Sequence, residues 1–467
     1  MLRSIRATLA CTALLAPALR ADILTVGPDA AGYDFTTIQA AVDAAVSGDT
    51  VQIAPGIYDG FSIISKSINV IGAGSDLTVL RAHWSEVTPG ETQWMSTVSV
   101  WNVLDNPVAM GGFRIAPLEA GNHIGSYGVN IDRTAVQLFL FDIEVIIDRP
   151  LIALKHQFRA PFIQFFAFDA TYSNCRTKIV PGWEPWAIED PGAYKGVPGC
   201  YILDGNAWMS DCQFEGSPSP LCGDDSPDSL FGNFAESAGP GLVHDVGQLT
   251  LANCRLVGAD GAPAMGDCVA TAGAPGLWRR PGTFGNFDTS IHGGASNAIL
   301  GGSAEIDPGP AVKLEAPNDV VWGSGVLLVP GSDDSGTPGE ILISTSMARG
   351  VGLDDRLPSL GLSDPMVELG NATQLRFHGD RFGVCFPRWS IGGTEAFALP
   401  NITGDGFLDL NTIGELPVVA LDANGEGALS IQVPNDPALL DHWYVLQMVE
   451  YDGDLEFAPP VVLGLAP

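Results

Sequence analysis

The chain has 467 residues, of which 22 are basic and 54 are acidic, so its formal net charge at pH 7 is −32. A negative field of this size repels phosphate backbones and excludes nucleic acid as a favourable partner. Hydrophobic residues make up 46% of the chain, beside 56 Gly and 34 Pro. This composition excludes a disordered chain and favours many short strands joined by turns.

The N-terminus has the three parts of a secretory signal peptide. Arg3 and Arg6 provide the basic region, residues 7–15 form a short apolar stretch, and small residues precede a cleavage site near Ala21. The stretch is shorter than the roughly 20 residues that span a bilayer, and no later segment is long and apolar enough to do so. The sequence therefore predicts a signal peptide at residues 1–21 and a secreted or otherwise extracytoplasmic protein without a transmembrane segment.

Residues 33–82 have the layout of a short helix followed by short strands. Thr36 is the expected N-cap, with Gln39 three residues later as its capping-box partner. After a Gly-Asp stop, Val51 and Ile53 alternate as they would in a strand. One face of the expected helix is apolar and consists of Ile38, Ala41, Val42 and Ala45.

Three pieces of this segment carry a resemblance to a known family. They are residues 34–42 (DFTTIQAAV), the turn at 55–59 (PGIYD), and residues 70–74 (VIGAG) followed by Thr78-Val79. In these pieces the chain resembles right-handed parallel β-helix proteins of the pectin-lyase-like superfamily, pectin methylesterases especially. The resemblance implies a fold; it includes no catalytic residue and therefore names no activity.

A pattern of apolar strand, polar residue and apolar strand recurs along the next 150 or so residues. Copies lie at residues 109–115, 137–145, 162–170, 208–216 and 249–258, and the central residues of the last four are Asp142, Ala167, Asp211 and Asn253. Asp and Asn tolerate the unusual backbone conformation that a corner between stacked strands requires. We therefore predict that Asp142, Asp211 and Asn253 are the corners of a stacked coil.

Together these patterns predict an all-β chain. Residues 22–350 are expected to form a right-handed parallel β-helix, a solenoid with an N-terminal capping helix, because parallel crossovers are almost always right-handed. Residues 357–467 are expected to form a small C-terminal β-sandwich, because strand-like runs recur there about every 8–12 residues with turn signals between them.

Seven cysteines remain once the signal peptide is removed, and six of them lie within residues 175–268. None has the C-x-x-C spacing of a zinc site, and an exported chain can form disulfides. Cys222 and Cys268 lie in corresponding loops after two repeats and are the candidate disulfide. Cys212 and Cys254 follow two of the predicted corners, and we expect them to stack about 4.8 Å apart as reduced thiols in the core.

The sequence indicates no catalytic, cofactor-binding or metal-binding residue. The blocks in which pectin methylesterases keep their catalytic Asp, Arg and Gln residues are missing, and Asp142, Asp211 and Arg255 are the nearest substitutes. Residues 401–409 resemble a Ca²⁺ loop, but Thr412 stands where an acidic ligand is required. We therefore read residues 401–409 as a turn, and Ca²⁺ remains an unsupported cofactor.

Two functions fit these observations. The first is a non-catalytic exported protein whose stacked face and loops bind a polysaccharide or cell-surface glycan, or build surface structure. The alternative is a polysaccharide lyase or carbohydrate esterase with a divergent active site, which requires a carboxylate cluster with a basic residue on neighbouring coils.

Overall fold

The computed structural model describes most of the chain. The described residues are 21–29, 31–81, 96–103, 106–116, 127–134, 136–147, 163–167, 169–179, 198–202, 205–216, 238–244, 247–261, 273–279, 290–293, 298–300, 310–314, 319–322, 327–333, 335–340, 342–344, 349–352 and 358–466. The predicted signal peptide, apart from its last residue, and the predicted Cys222–Cys268 pair lie outside the described residues.

The first part of the chain contains one short helix and a succession of short strands. These are β1 (Ile23–Val26), α1 (Ile38–Ala44), β2 (Thr50–Ile53), β3 (Gly56–Asp59), β4 (Phe61–Ile64), β5 (Asn69–Ile71), β6 (Thr78–Arg81), β7 (Ser96–Trp101), β8 (Val108–Ala116), β9 (Tyr127–Thr134), β10 (Leu138–Ile147), β11 (Ile163–Ala167), β12 (Asp169–Ser173), β13 (Arg176–Ile179), β14 (Cys200–Ile202), β15 (Asn206–Ser210), β16 (Gln213–Glu215), β17 (Leu242–His244), β18 (Leu249–Ala252), β19 (Arg255–Val257), β20 (Leu277–Arg279), β21 (Ser290–Gly293), β22 (Ala298–Leu300), β23 (Val312–Leu314), β24 (Asp319–Trp322), β25 (Leu327–Val329), β26 (Leu342–Ser344) and β27 (Arg349–Gly352).

Residues 358–466, which we call the C-terminal module, contain longer strands and one 3-10 helix at Pro437–Asp441. The strands are β28 (Ser359–Leu362), β29 (Met366–Glu368), β30 (Ala372–His378), β31 (Val384–Ile391), β32 (Gly393–Phe397), β33 (Gly406–Leu408), β34 (Gly414–Glu415), β35 (Val419–Ala420), β36 (Glu426–Gln432), β37 (Tyr444–Tyr451), β38 (Leu455–Phe457) and β39 (Val461–Ala466).

Strands β1–β27 pair in parallel and form three ladders. The first ladder is β1-β2-β5-β8-β10-β12-β15-β18-β21-β24-β27, the second is β3-β6-β8-β10-β13-β16-β19-β22-β25, and the third is β4-β7-β9-β11-β14-β17-β20-β23-β26. β8 and β10 are long enough to belong to the first and second ladders together. The chain visits the three ladders in rotation, so the architecture is all-β, parallel and solenoid-like.

Rows of equivalent side chains on successive strands fill the interior of the coil. One inward row of the first ladder consists of Val51, Val70, Met110, Leu140, Tyr172, Met209 and Leu251, and every one of them is buried. Burying each aliphatic side chain contributes about 1.5–3 kcal/mol. Because neighbouring strands lie about 4.8 Å apart, the rows pack without gaps along the coil.

Helix α1 begins one residue later than the sequence predicts. Thr37, not Thr36, is the N-cap, and its side chain accepts a hydrogen bond from the Ala40 amide. Gln39 does not close a capping box, since its side-chain oxygen accepts from the Ser62 amide at 2.8 Å and so ties the helix to β4. The predicted apolar face, Ile38, Ala41, Val42 and Ala45, is buried in the common core.

The turns between the first and second ladders form a third kind of row, which we call the corner row. It consists of Gly112, Asp142, Asn174, Asp211 and Asn253, with φ values of +72°, +46°, +53°, +55° and +53°. Ala167 does not belong to this row, because it lies on β11 in the third ladder, and Asn174 is the corner residue that follows it. These left-handed conformations suit Gly, Asn and Asp better than other residues.

The C-terminal module has its own apolar core. β28, β30 and β36 form one antiparallel sheet, and β31 and β37 are the centre of a larger, mainly antiparallel one. Residues of both sheets, among them Leu375, Phe377 and Met448, belong to one buried cluster. No helix in the described part of the chain is long and apolar enough to cross a membrane.

Candidate functional site

The C-terminal module packs against the outward face of the first ladder through aromatic side chains. Phe139 of β10 lies 4.9 Å from Trp443 and 6.4 Å from Phe407 between ring centroids, and Trp208 of β15 lies 4.8 Å from Phe407. All four belong to one buried cluster that draws residues from both parts of the chain. Such aromatic pairs add about 0.5–1.5 kcal/mol each beyond the area they bury, so the module is held firmly on the ladder.

Hydrogen bonds fix the position of β39 on the same face. The Val462 amide donates to the Ser173 hydroxyl at 3.3 Å, and the Ser210 hydroxyl donates to the Pro460 carbonyl at 3.2 Å. Ser173 and Ser210 are register partners on adjacent strands. The first ladder therefore has a short row of serine hydroxyls that form hydrogen bonds with the backbone of the module.

A cleft of about 260 Å³ opens at one edge of this contact. Its lining includes Trp208 and Thr250 of the first ladder and Asp405 and Glu456 of the module. Trp208 is 5% exposed, whereas Gln248 and Thr403, which also line the cleft, are exposed. An aromatic side chain with a few polar groups around it is the usual make-up of a small-molecule site, and the volume is just below the roughly 300–1,000 Å³ of such sites.

A polar row at the beginning of the ladder strands continues one side of the cleft. Asp169 accepts a hydrogen bond from the Asn206 amide at 3.2 Å, and the Asn206 side chain accepts one from the Gln248 amide at 2.8 Å. Burial raises the pKa of Asp169 above its ordinary value, and the carboxylates of Asp405 and Glu395 raise it further. The carboxyl groups of Asp169, Glu395 and Asp405 are therefore close enough to interact electrostatically.

Asp142 of the corner row is used to hold the chain together. Its carboxylate accepts hydrogen bonds from the amide and the hydroxyl of Ser75, both at 2.8 Å, and from the Asn174 side chain at 3.2 Å. Burial raises the pKa of Asp142 to about 6, against the opposing effect of the Ser75 bonds and Arg176. These bonds occupy both carboxylate oxygens.

Asp211 joins the coil to the C-terminal module. Its carboxylate accepts hydrogen bonds from the Leu362 amide at 3.1 Å and from the side chain of Asn253, its neighbour in the corner row. Burial raises the pKa of Asp211, although the hydrogen bond from Asn253 and the charge of Arg376 lower it. The side chain is enclosed between two parts of the chain and does not face the cleft.

Arginines flank an acidic residue on the outward face of the second ladder. Arg114 and Arg176 lie 3.7 Å and 3.3 Å from the carboxylate of Glu144 on the strand between them. In the same register, Gln213 follows Arg176 and an exposed Arg255 follows Gln213. The structure thus places Arg255 on the surface, in a row with other arginines and away from the cleft.

The buried arginine Arg279 lies inside the coil. Arg279 occupies an inward position of the third ladder beside His244, and its guanidinium contacts the His244 ring and donates to the Gly247 carbonyl at 2.5 Å. The His244 Nε2 in turn donates to the Gly205 carbonyl at 3.0 Å. Burial lowers the pKa of Arg279 to about 9. Because both side chains are fully buried, they bind turns of the coil and have no access to solvent.

The described cysteines are free thiols, and three of them follow the corner row. Cys175, Cys212 and Cys254 come directly after Asn174, Asp211 and Asn253, and all three are buried in the core. Burial raises the pKa of Cys212, and hydrogen bonds with the two flanking thiols raise it further. These three stacked cysteines are therefore part of the apolar core and not a nucleophilic site.

Residues 401–412, which resemble a Ca²⁺ loop, are not a single turn as the sequence predicts, because they contain the strand β33 (Gly406–Leu408), which pairs with β32. The Thr412 hydroxyl donates to the Ile391 carbonyl at 3.2 Å, and the Asp409 carboxylate accepts from the Asn411 amide at 2.9 Å. Asp405 alone of this segment's carboxylates lines the cleft. Within the described ranges no group of three or more His, Cys, Asp or Glu side chains is arranged to hold a metal ion.

The sequence does not reveal the cleft. Its repeat pattern places Trp208 only on a strand, and nothing in it distinguishes Glu456 from other acidic residues. One signal was present: the apolar strand around Trp208 carries an aromatic residue at an outward position, where a surface strand usually has a polar one.

Comparison with known proteins gives little. No family model matches the chain, and no curated protein matches it. Three chains of known structure match; one is Spo0M, a sporulation control protein from Bacillus subtilis, with 8% sequence identity and a TM-score of 0.15. The match covers 24% of this chain and 49% of Spo0M, so the chain spans about half the length of that structure. A likeness of this size carries no argument about fold or function.

Proposed function

We propose that the chain is an exported right-handed parallel β-helix of the pectin-lyase-like kind with a C-terminal β-sandwich, and that it binds a glycan without cleaving it. Three ladders visited in rotation support the β-helix, and parallel crossovers have a right-handed preference of roughly 98%. The resemblance of residues 33–82 to pectin-lyase-like proteins supports the family, and the basic and apolar N-terminal segments support export.

The cleft is the observation that carries the binding function. It lies beside the mostly buried Trp208 indole and has amide, hydroxyl and carboxylate groups that exchange hydrogen bonds with sugar hydroxyls. Its volume of about 260 Å³ suits one sugar residue or two.

The corner carboxylates support a non-catalytic role. Asp142 and Asp211, the nearest substitutes for esterase groups, accept hydrogen bonds from the backbone amides of Ser75 and Leu362. An acid, base or nucleophile must be within hydrogen-bond reach of the substrate. Asp142 is buried and Asp211 is half-buried, and both carboxylates serve the connection between segments.

The proposal is tested with a panel of neutral, anionic and cationic oligosaccharides and the purified mature protein. We expect binding in the millimolar to micromolar range without product formation, and we expect Thr250→Phe, which fills part of the cleft, to abolish it. Glu426→Gln, on an exposed site of β36, is the matched control. Wild-type affinity in the folded Thr250→Phe variant contradicts a role for the cleft.

One observation favours the alternative of a divergent lyase or esterase. The Arg114–Glu144–Arg176 group places basic and acidic side chains on neighbouring strands of one face, as such an enzyme requires. Methanol release from methylated pectin and unsaturated products from polygalacturonate distinguish the two functions. Turnover that Arg176→Ala abolishes without loss of fold establishes the enzyme; its absence in the wild type leaves the binding function.

A further inference from the structure

A buried carboxyl group lies at one end of the C-terminal module, under a short loop. Glu450, near the end of β37, is 3% exposed. The loop consists of residues 379–383 (Gly-Asp-Arg-Phe-Gly), which connect β30 to β31 and which we call the clasp. The Asp380 amide donates a hydrogen bond of 2.8 Å to Glu450 Oε1. The clasp thus covers an ionisable side chain and gives it a backbone amide as a partner.

Two glycines let the clasp close around the carboxyl group. A Cβ on Gly379 would overlap Glu450 Oε2, and a Cβ on Gly383 would overlap Oε1. Between these glycines, Phe382 has a φ of +64° and is 72% exposed. A bulky residue rarely adopts this conformation, and the surrounding contacts must hold it there. The closed clasp is therefore shaped to the carboxyl group and keeps some backbone strain.

The clasp is tied to the module by bonds of two kinds. The Phe382 amide donates to the Asp422 carbonyl at 3.2 Å, and the Leu421 amide donates to the Gly383 carbonyl at 2.9 Å. These backbone bonds join the clasp to the neighbouring turn. The bond to Glu450 joins the clasp to β37, and of these three bonds it alone ends on an ionisable group.

The closed clasp disfavours the ionised form of Glu450. Burial raises the pKa of Glu450 to about 8; the hydrogen bond from the Asp380 amide opposes this rise, and the carboxylates of Asp380, Asp452 and Glu456 reinforce it. Glu456 is the register partner of Glu450 on β38, and Cys385 is its partner on β31. Burial raises the pKa of Cys385 to about 12 and the charge of Glu450 raises it further, so the thiol keeps its proton.

Other charged groups on the adjoining elements have contacts of their own. Arg381 of the clasp is exposed, and Arg376 and His378 of β30 interact with Asp211 of the coil. The Asp422 carboxylate accepts hydrogen bonds from amides of its own turn. The charges that act most on the buried carboxyl group are therefore negative, and a single amide does not replace the hydration that a carboxylate loses on burial.

We propose that the clasp is a pH-sensitive switch, which is closed over Glu450 while this carboxyl group is protonated and opens when the group loses its proton. Opening breaks the bond between the Asp380 amide and Glu450 and lets water reach the carboxylate. It also moves the exposed side chains of Arg381 and Phe382, so the surface that the module presents depends on pH. The inference is independent of the proposed glycan binding.

The direction and size of the response follow from the two protonation equilibria. The pKa of Glu450 is about 8 in the closed clasp and has its ordinary value of 4.5 once the group is solvated. Between these values the closed form keeps a proton that the open form releases, so the ratio of open to closed clasps rises about tenfold per pH unit. The closed clasp is thus most stable below about pH 4.5 and loses stability up to about pH 8.

Hydrogen–deuterium exchange of the purified protein, read by mass spectrometry and corrected for the intrinsic exchange rate at each pH, measures the opening. Between about pH 5.5 and 7.5 we expect the protection of the clasp amides to fall roughly thirtyfold or more. At each pH we expect these amides to be at least about a hundredfold less protected than the centre of β37, because the clasp opens locally.

Two variants identify the group that is responsible. Glu450→Gln keeps the shape of the side chain and an acceptor for the Asp380 amide but cannot ionise, and we expect it to remove the pH dependence of clasp protection. Glu426→Gln, on an exposed site of β36, is the matched control and is expected to keep it. Circular dichroism establishes that both variants are folded.

Three results overturn the inference. If the protection of the wild-type clasp does not change with pH, the clasp does not respond to ionisation. If the clasp amides are as protected as the centre of β37, the clasp opens only when the whole module unfolds and is no switch. If Glu450→Gln keeps the wild-type pH dependence, another group is its source. The first two results come from the wild type alone, so the test does not depend on the folding of a variant.

Discussion

Three substitutions at Asp211 separate what its carboxylate and its backbone conformation contribute to stability. The carboxylate accepts a hydrogen bond from the Leu362 amide, and the residue has a φ of +55°. Asp211→Asn keeps an acceptor oxygen and a residue type that tolerates this conformation. Asp211→Gly keeps only the conformation, and Asp211→Ala keeps neither.

The magnitudes follow from these two features. Leu362 is 4% exposed, so leaving its amide without an acceptor costs about 1–3 kcal/mol. A non-glycine residue in the left-handed region costs a further 1–2 kcal/mol or so, while Gly loses about 0.5–1 kcal/mol more conformational freedom on folding than Ala. We therefore expect losses of below about 1 kcal/mol for Asn, 1.5–4 for Gly and 2–5 for Ala.

Urea unfolding of the three variants and the wild type, followed by circular dichroism, measures these differences. Glu426→Gln, an exposed carboxylate on the same module, gives the background. The reasoning is refuted if Asp211→Ala lies within about 0.5 kcal/mol of the wild type, the range of surface substitutions. It is also refuted if Asp211→Asn is as destabilising as Asp211→Ala, because the acceptor would then not matter.

Three further predictions concern a buried carboxyl group, the core thiols and a partly exposed arginine. Burial raises the pKa of Glu450 from 4.5 to about 8, so ionisation of Glu450 opposes folding. The stability of the wild type should therefore fall relative to that of Glu450→Gln as pH rises from about 4.5 to about 8. Melting temperatures of the two proteins that change in parallel with pH contradict this. Thiol titration with a disulfide reagent should find Cys175, Cys212 and Cys254 unreactive in the native protein and reactive in urea, since buried thiols with raised pKa values are inert; native reaction at enzyme-like rates disproves the packed ladder. Arg176→Ala should lower the melting temperature by only a degree or two, because Arg176 is partly exposed, Arg114 still pairs with Glu144, and exposed ion pairs contribute about 0–1 kcal/mol; a large drop shows that the Glu144 cluster is structural.

The regular part of the fold could be predicted because its physics is local and repeats. Alternating apolar residues around Asp142, Asp211 and Asn253 indicated strands on either side of a turn, and these residues have the left-handed conformations that Asp and Asn tolerate. The same pattern placed Ala167 in the corner row wrongly. An alternating apolar strand looks alike in every ladder of a coil, so the alternation does not tell which ladder a strand joins.

β31 and β32 are among the strands of the C-terminal module that the sequence pattern does not predict, for a different reason. β31 contains Pro387, and the single residue Gly392 separates it from β32, which itself begins with Gly393. Pro within a run argues against a central strand, yet β31 lies between β37 and β34. Its strand conformation is imposed by the antiparallel partners on both sides, which a single run of residues does not reveal.

The cleft could not be predicted from the sequence because its lining residues come partly from the coil and partly from the C-terminal module. Trp208 and Thr250 come from the coil, whereas Asp405 and Glu456 come from segments about 150–250 positions later. Only the packing of the module on the coil, through Phe407 and Trp443 against Phe139 and Trp208, brings them together. The residues that make the cleft are thus the neighbours of the residues that hold the module in place. A ligand bound there contacts both parts and not the unfolded chain, so it stabilises their association by mass action, by about 2.7 kcal/mol at a hundredfold excess over its Kd. In this arrangement the free energy of ligand binding adds to the free energy that holds the coil and the module together, so a substitution that weakens one is expected to weaken the other.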